Sequence, residues 1–218
     1  KYTVRRRIAF WWQPNDPFNV NVGMRLTADT VQTDEEGAFN VMIPLIIPEG
    51  ETHPMFYNFI VSADVTDVAG ETHSGEMSVP LGTRPTAFSC TLPKNILKDS
   101  VNTFIFNLRN ASGHEIDTEL KYSIDGGNTV STNTRKNVVL DQLVSGRHHL
   151  FAVCENDTIN KDFIVFSLQD TKPCIETKDW YYQSAKEFAR DNKQPVTIQI
   201  GSSDQDFHIF YDIISGDK

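Results

Sequence analysis

The sequence predicts an all-β protein made of tandem antiparallel β-sandwiches of the immunoglobulin or fibronectin type. Apolar and polar residues alternate with a period of two along most of the chain, which is typical of strands buried on one face. The strands are short, recur about every 10 residues and are separated by turns, as in sandwich domains. Hydrophobic residues make up 39% of the chain, with 14 Phe, so there is enough apolar side chain for a packed core.

A first sandwich is expected over residues 1–85. Turns at 33–37 and 67–70 each contain a glycine that is free to adopt positive φ. A linker at 82–85 ends this unit, because Gly-Thr-Arg-Pro interrupts the alternation. Alternating segments predict strands at 18–26, 39–45 and 57–65, and residues 72–81 are expected to pair back after the second turn.

A second sandwich is expected over residues 86–172, with a strong hairpin signal in Asp-Gly-Gly at 125–127. A linker at 171–173 leads into a third unit, 173–218, which has the pattern of the first part of a further β-domain. Its last alternating segment, 207–214, has no partner arm, so we expect the sequence to be a piece of a larger chain. The alternating segments of the second unit are 88–92, 104–108, 116–124, 138–140, 150–154 and 163–168.

The charge balance argues against nucleic-acid binding. Lys and Arg number 20 against 29 Asp and Glu, a net charge of −9, whereas phosphate contacts need clustered cations. The basic cluster Arg5-Arg6-Arg7 either pairs with acidic neighbours or marks a partner surface. No apolar run approaches the roughly 18 residues that a membrane span needs, so no span is expected in this segment.

The sequence offers no convergent catalytic set. Ser112 and Ser145 lie outside any nucleophile-elbow motif. His148 and His149 are adjacent in a predicted strand, so their rings are expected on opposite faces, where they cannot bind one metal ion together. We therefore expect a non-enzymatic protein without a metal or cofactor.

Two features have both a structural and a functional interpretation. Asp64, Asp67 and Glu71 flank a turn and could resemble a calcium cluster, but the spacing is not that of an EF-hand, and we favour Asp side chains that cap local amides. Trp11-Trp12 could form an exposed platform for a sugar or a peptide. The interpretation we favour is that the two indoles seal an interface.

The three cysteines lack metal-binding spacing. Cys90 and Cys154 lie in apolar company on alternating strands, so both are expected to point into the core of the second unit. A disulfide between them would need Cα atoms within about 7 Å, but we expect free thiols, because small buried thiols pack well unpaired. Cys174 follows Pro173 at a linker and is expected to be the most accessible thiol.

Four segments carry a more distinctive pattern: Trp11-Trp12 after a basic stretch, T-D-E-E-G-A-F at 33–39, V-S-A-D-V-T-D-V-A-G-E-T-H-S-G at 61–75, and D-W-Y-Y-Q-S at 179–184 followed by P-V-T-I-Q-I-G-S-S at 195–203. Together they resemble the macroglobulin-type domains of large bacterial alpha-2-macroglobulin-like proteins. We call the residues that carry the resemblance the pattern residues: Trp11, Trp12, Asp34, Gly37, Phe39, Asp64, Asp67, Gly70, Glu71, Thr72, Asp179, Trp180, Tyr182, Gly201 and Ser202.

The resemblance implies the scaffold of a protease trap, in which a protease cuts a bait segment and the molecule then rearranges around it. It also implies an exported parent, periplasmic or at the cell surface, with neighbouring domains of that parent and target proteases as partners. Some members form a thioester from a C-x-E-Q motif, but Thr177 follows Cys174-Ile175-Glu176 here, so no thioester is expected. The alternative is a surface adhesin or glycan-binding module with Trp11, Trp12, Trp180, Tyr181 and Tyr182 as stacking rings.

Overall fold

The computed structural model describes residues 1–12, 23–48, 53–98, 100, 102–185 and 195–212. Within these ranges the protein is all-β, as predicted, and its sheets are mainly antiparallel. No helix that could cross a membrane occurs among the described residues. The strands are β1 (Tyr2–Ile8), β2 (Met24–Asp29), β3 (Phe56–Thr66), β4 (Thr72–Gly82), β5 (Thr86–Cys90), β6 (Asn95–Leu97), β7 (Asn102–Asn110), β8 (Glu119–Ile124), β9 (Val130–Asn133), β10 (Asn137–Leu140), β11 (Gly146–Cys154), β12 (Asp157–Phe166), β13 (Trp180–Gln183) and β14 (Ile198–Gly201).

The first sheet has the order β2-β1-β3-β4, and all its pairings are antiparallel. Its register places Val4, Tyr57 and Phe59 on one face, and each of them is at most 4% exposed. β3 and β4 pair over their full length, whereas β1 stops opposite Ala63. The far part of this hairpin is therefore a two-stranded ribbon that extends beyond the rest of the sheet.

One predicted strand of the first unit is not formed. Residues 39–45 make no β-ladder, although half-buried and exposed residues alternate from Phe39 to Pro44; Leu45 is exposed. Pro44 lies within this segment and has no N–H to donate, which accounts for side-chain alternation without strand pairing. The predicted strand 18–26 is seen as β2 from Met24 onward, and its residues 18–22 lie outside the described ranges.

The second unit consists of two facing sheets, with the orders β10-β7-β5 and β6-β12-β11-β8-β9. The alternation of β7 and β11 directs one side of each strand into a shared core, because successive side chains of a strand point to opposite faces. All members of this core are at most 4% exposed: Leu92, Ile96, Phe104, Phe106, Leu108, Leu120, Val138, Leu150, Ala152, Cys154, Phe163 and Val165.

The sequence pattern missed two short strands of this unit. β6 pairs parallel with β12, and β9 pairs with β8 after the predicted hairpin turn. That turn contains Asp125 at φ 53° and Gly126 at φ 67°, the combination of a type I′ hairpin. Strands of three and four residues are too short to show a period of two.

β13 and β14 form a two-stranded antiparallel sheet beyond the second unit. The predicted strand 207–214 is not formed over 207–212, and its last two residues lie outside the described ranges. The boundaries 1–85, 86–172 and 173–218 remain predictions, although the first sheet, the two facing sheets and this small sheet fall within them in that order.

Candidate functional site

Three turns of the protein share one five-residue geometry, an Asp or Asn followed three residues later by a glycine. In the turn after Asp67, one carboxylate oxygen accepts the N–H groups of Ala69 and Glu71, and Gly70 has φ 88°. The turns that start at Asp34 and Asn110 repeat these bonds, with Gly37 and Gly113 at φ 80° and 85°. The prediction that Asp side chains of the 64–71 segment cap local amides is confirmed for Asp67, whereas Asp64 accepts a side-chain hydroxyl instead.

The other pattern residues of the β3–β4 ribbon hold cross-strand contacts. Ser74 donates to the Asp64 carboxylate at 2.6 Å, and the hydroxyls of Thr66 and Thr72 lie 2.9 Å apart. Glu71 accepts at its carbonyl from the Asp67 N–H. Phe39 is half-buried beside the base of this ribbon. These contacts give the ribbon a fixed register without forming a catalytic group.

The first junction is an aromatic cluster between the first sheet and the second unit. Phe56 is fully buried, and the rings of Trp11 and Trp12 lie 4.9 and 5.0 Å from its ring. The other members of the first junction are Ala9, Ala87 and Ala111. The predicted role of the two indoles as an interface seal is therefore what the structure shows.

Two glycines permit the close packing of this junction. A Cβ on Gly113 would lie 2.6 Å from the Trp11 ring, and a Cβ on Gly82 would lie 2.6 Å from the Phe56 ring. Such distances are shorter than any van der Waals contact allows, so neither position accepts a side chain without displacement of an aromatic ring.

The second junction joins the second unit to the β13–β14 sheet. Phe166 is 1% exposed, and the rings of Trp180 and Tyr182 lie 5.2 and 4.6 Å from it. The Trp180 indole N–H donates to Gln199 at 2.9 Å, and Gln199 in turn donates to the Ser167 carbonyl. The other members of the second junction are Leu97, Ile164, Cys174 and Ile175.

A cleft of about 700 Å³ lies beside the second junction, between residues 170–176 and 199–207. Gly201 lines it opposite Pro173, to which an added Cβ would approach within 3.3 Å. Ser202 is 9% exposed and accepts the N–H of Asp204, while Asp179 accepts from the Thr177 hydroxyl. These pattern residues shape the loops of the cleft, and no metal-ligand cluster is found among the described residues.

The rings proposed for glycan stacking are mostly engaged in packing. Trp11 and Trp12 pack on Phe56, and Trp180 is 6% exposed. Tyr182 packs on Phe166, which leaves Tyr181, at 56% exposure, as the exposed ring of the five. The geometry thus gives no support to a stacking platform at these residues.

The adjacent histidines point to opposite faces, as predicted. His148 is 6% exposed and is hydrogen-bonded through Nδ1 to Asp125 at 2.6 Å and through Nε2 to the Val144 carbonyl at 2.8 Å. His149 binds Asp162 on the outer face, and this hydrogen bond raises the pKa of His149 above its ordinary value.

The stability of the Asp125→Asn variant is expected to fall less between neutral and acid pH than that of the parent chain. Burial alone would raise the pKa of Asp125, but hydrogen bonds from His148 and the His149 N–H lower it overall. A lowered carboxyl pKa stabilises the fold above the ordinary carboxyl range, and this contribution is lost as the pH falls through that range.

Denaturant unfolding at pH 7 and pH 3 measures the effect. Because the Asp125 side chain is 48% exposed, we expect the two-pH difference to shrink by only about 1 kcal/mol in the variant. Asp141→Asn, at an exposed position in the turn after β10, is the matched control and should behave like the parent chain. Equal pH dependence in all three proteins would contradict the role assigned to the Asp125–His148 pair.

The cysteines are all free thiols, as predicted. Cys154 lies in the core and Cys90 packs against it. Cys174 is less accessible than the sequence suggested, because it packs in the second junction and its thiol donates to the Val165 carbonyl. Burial raises the pKa of both Cys154 and Cys174.

Slow alkylation is therefore expected for Cys154 and Cys174 in the folded chain at pH 7.5. The thiolate is the reactive form, and a raised pKa together with burial lowers its concentration and its access to reagent. Iodoacetamide labelling followed by peptide mass spectrometry should show both cysteines modified at least about tenfold faster after denaturation. If Cys154 reacts equally fast in the folded and unfolded chains, its placement in the core is wrong.

Phe56 and Phe166 are the residues that sequence reasoning missed. Each is the centre of a junction, yet in the sequence each is an ordinary apolar residue of an alternating strand. Phe56 lies far from both predicted linkers. For Phe166 the signal available was its proximity in the chain to a linker, since it lies five residues before Thr171. That signal alone does not distinguish a junction residue from a core residue.

Comparison of the sequence with protein-family models gave no match. A comparison with curated proteins likewise gave no match. No solved structure matched the protein.

Proposed function

We propose that this chain is a non-catalytic structural segment of a bacterial alpha-2-macroglobulin-like protease inhibitor, exported to the periplasm or the cell surface. The observation that carries the proposal is where the pattern residues lie. Asp34, Gly37, Asp67 and Gly70 build two copies of one turn. The two junctions contain the pattern residues Trp11, Trp12, Trp180 and Tyr182. Residues that shape turns and interfaces are what a scaffold of linked domains requires.

The strand order of the second unit adds support. β5 belongs to one sheet, while β6, which follows it after Pro93, crosses to the other sheet and pairs parallel with the last strand, β12. A first strand divided between two sheets is a feature of immunoglobulin-like sandwiches, the class to which we assign this unit. Neighbouring domains of the parent are the partners that such a tandem arrangement needs.

The test is protease trapping by the protein that carries this segment. It is incubated with a trypsin-like and an elastase-like protease, and the products are separated by size-exclusion chromatography. We expect a stoichiometric complex and a change in hydrodynamic radius after cleavage. In the complex, the protease should still cleave a small chromogenic peptide but not a large protein substrate, because a trap restricts access by size.

A protease whose catalytic serine has been blocked is the matched control. It should not be retained, because trapping depends on cleavage of the parent. If neither active protease is retained and the radius does not change after cleavage, the inhibitor assignment is wrong. Retention of the blocked protease as well would indicate simple adsorption.

A further inference from the structure

Three arginines form a cationic patch on one face of the first sheet. Arg5 lies directly opposite Arg25 in the β1–β2 ladder, and Arg7 follows Arg5 by two residues, which places it on the same face. We call Arg5, Arg7 and Arg25 the arginine patch. The buried residues Val4, Tyr57 and Phe59 occupy the opposite face. On the patch's own face, Arg5 lies opposite the buried Ile60, and Arg5 and Arg7 are themselves half-buried.

None of these three arginines lies within 4.0 Å of a carboxylate in the part of the chain that the structure describes. The four other arginines outside the first sheet that the structure describes all have such a partner: Arg84 with Asp157, Arg109 with Glu115, Arg135 with Glu115 and Asp117, and Arg147 with Asp162. Arg6 points to the other face, where it bonds the Ile46 carbonyl and covers the Tyr57 ring. The patch arginines therefore differ from the described arginines outside the first sheet, all of which form ion pairs.

The arrangement is also unfavourable in itself. Like charges directly opposite each other in an antiparallel pair destabilise the sheet. The chain carries an excess of carboxylates, with a net charge of −9, yet the β3 and β4 carboxylates on this face, Asp64 and Glu76, accept hydrogen bonds from serine hydroxyls. Because no carboxylate of the described residues pairs with these arginines, the counter-charge is sought in a binding partner.

We infer that the arginine patch binds an extended acidic polypeptide segment. Arg5 and Arg7 are two residues apart on a strand, the spacing at which alternate residues of an extended peptide present their side chains. Guanidinium groups match carboxylates in geometry and bind them in a bidentate manner. A short acidic segment touches the patch alone, whereas a membrane surface or a long polyanion would also face the net negative charge of the chain.

The inference is tested with the full 218-residue chain and a fluorescein-labelled peptide of alternating Glu and Thr, followed by fluorescence anisotropy at low salt. We expect binding that weakens with salt, since exposed charges are screened beyond about 10 Å at 0.1 M. The Arg5→Thr/Arg25→Thr double variant should bind about tenfold more weakly. The control Lys94→Thr/Lys121→Thr removes the same charge from exposed positions in the second unit and should bind like the parent.

A second measurement separates loss of binding from loss of fold. Because the like-charge pair is removed and Thr suits a strand, the unfolding midpoint of the arginine double variant should rise by about 1–2 °C. The single variant Arg25→Thr, at an exposed position, should also weaken peptide binding and raise the unfolding midpoint, each by less than the double variant does. Unchanged binding in the arginine variants, equal losses in the lysine control, or no binding of the acidic peptide would each overturn the inference. Binding of a sulfated oligosaccharide or of phosphatidylglycerol vesicles through these arginines, in place of the peptide, would do so as well.

Discussion

Replacement of Phe56 with alanine is expected to lower the free energy of unfolding by about 3–5 kcal/mol, the usual cost of removing a fully buried aromatic ring. Phe56 is 0% exposed and is in contact with both indoles of the first junction. Its loss leaves a cavity that the neighbouring alanines, Ala9 and Ala87, are too small to fill. The first sheet should then lose its firm contact with the second unit.

Chemical denaturation measures the loss of stability, and tryptophan emission reports on the junction itself. In a Trp180→Phe background the remaining emission comes from Trp11 and Trp12, since the chain has three tryptophans. We expect a red shift of that emission in the Phe56→Ala variant, because the indoles become more hydrated. A wild-type spectrum together with lost stability would mean that Phe56 supports the sheet but does not hold the junction.

Phe10 offers the matched control. It is 67% exposed and is adjacent in sequence to the first junction. Phe10→Ala should change stability by no more than about 0.5 kcal/mol, as is usual for exposed positions. Equal effects of the two substitutions would show that the first junction is not a cohesive cluster.

The sequence was informative wherever one face of a strand is buried. β3, β7 and β11 were predicted from alternation, because burial of one face imposes a period of two on the residues. β4 is exposed over most of its length and was predicted only as the strand that pairs back after the turn at 67–70. Pattern reading failed at 39–45, where the alternation is real but Pro44 and the surrounding backbone make no ladder. A strand forms hydrogen bonds only where a partner strand lies beside it, and a local sequence pattern does not show whether that partner is present.

The junctions were only partly predictable for a related reason. Adjacent indoles such as Trp11 and Trp12 are conspicuous, so an interface could be suspected there. The residues they pack on, Phe56 and Gly113, are distant in sequence and are brought to them by the ends of β3 and β7. Cys174 was misjudged in the same way, since a position after a linker proline gives no sign that the following segment folds back on β12.

Replacement of Phe166 with alanine is the second large effect we expect, about 3–5 kcal/mol on the free energy that holds the β13–β14 sheet to the second unit. Phe166 is 1% exposed and packs against Trp180 and Tyr182. The β13–β14 sheet has two strands, and an isolated two-stranded sheet is marginally stable in water. This sheet therefore depends on the second junction for its stability, and loss of the Phe166 ring should release it while the core around Phe106 stays folded.

Limited proteolysis separates local release from global unfolding. In the Phe166→Ala variant, cleavage should accelerate at sites after Ser167, and a fragment containing the second unit should persist. Phe151→Ala is the control, because this ring is 40% exposed on the outer face of β11, and the variant should be cleaved like the parent chain. If Phe166→Ala leaves cleavage after Ser167 unchanged, the hydrogen bonds of Gln199 to Trp180 and Ser167 are sufficient to hold the β13–β14 sheet, and the aromatic cluster is not what secures it.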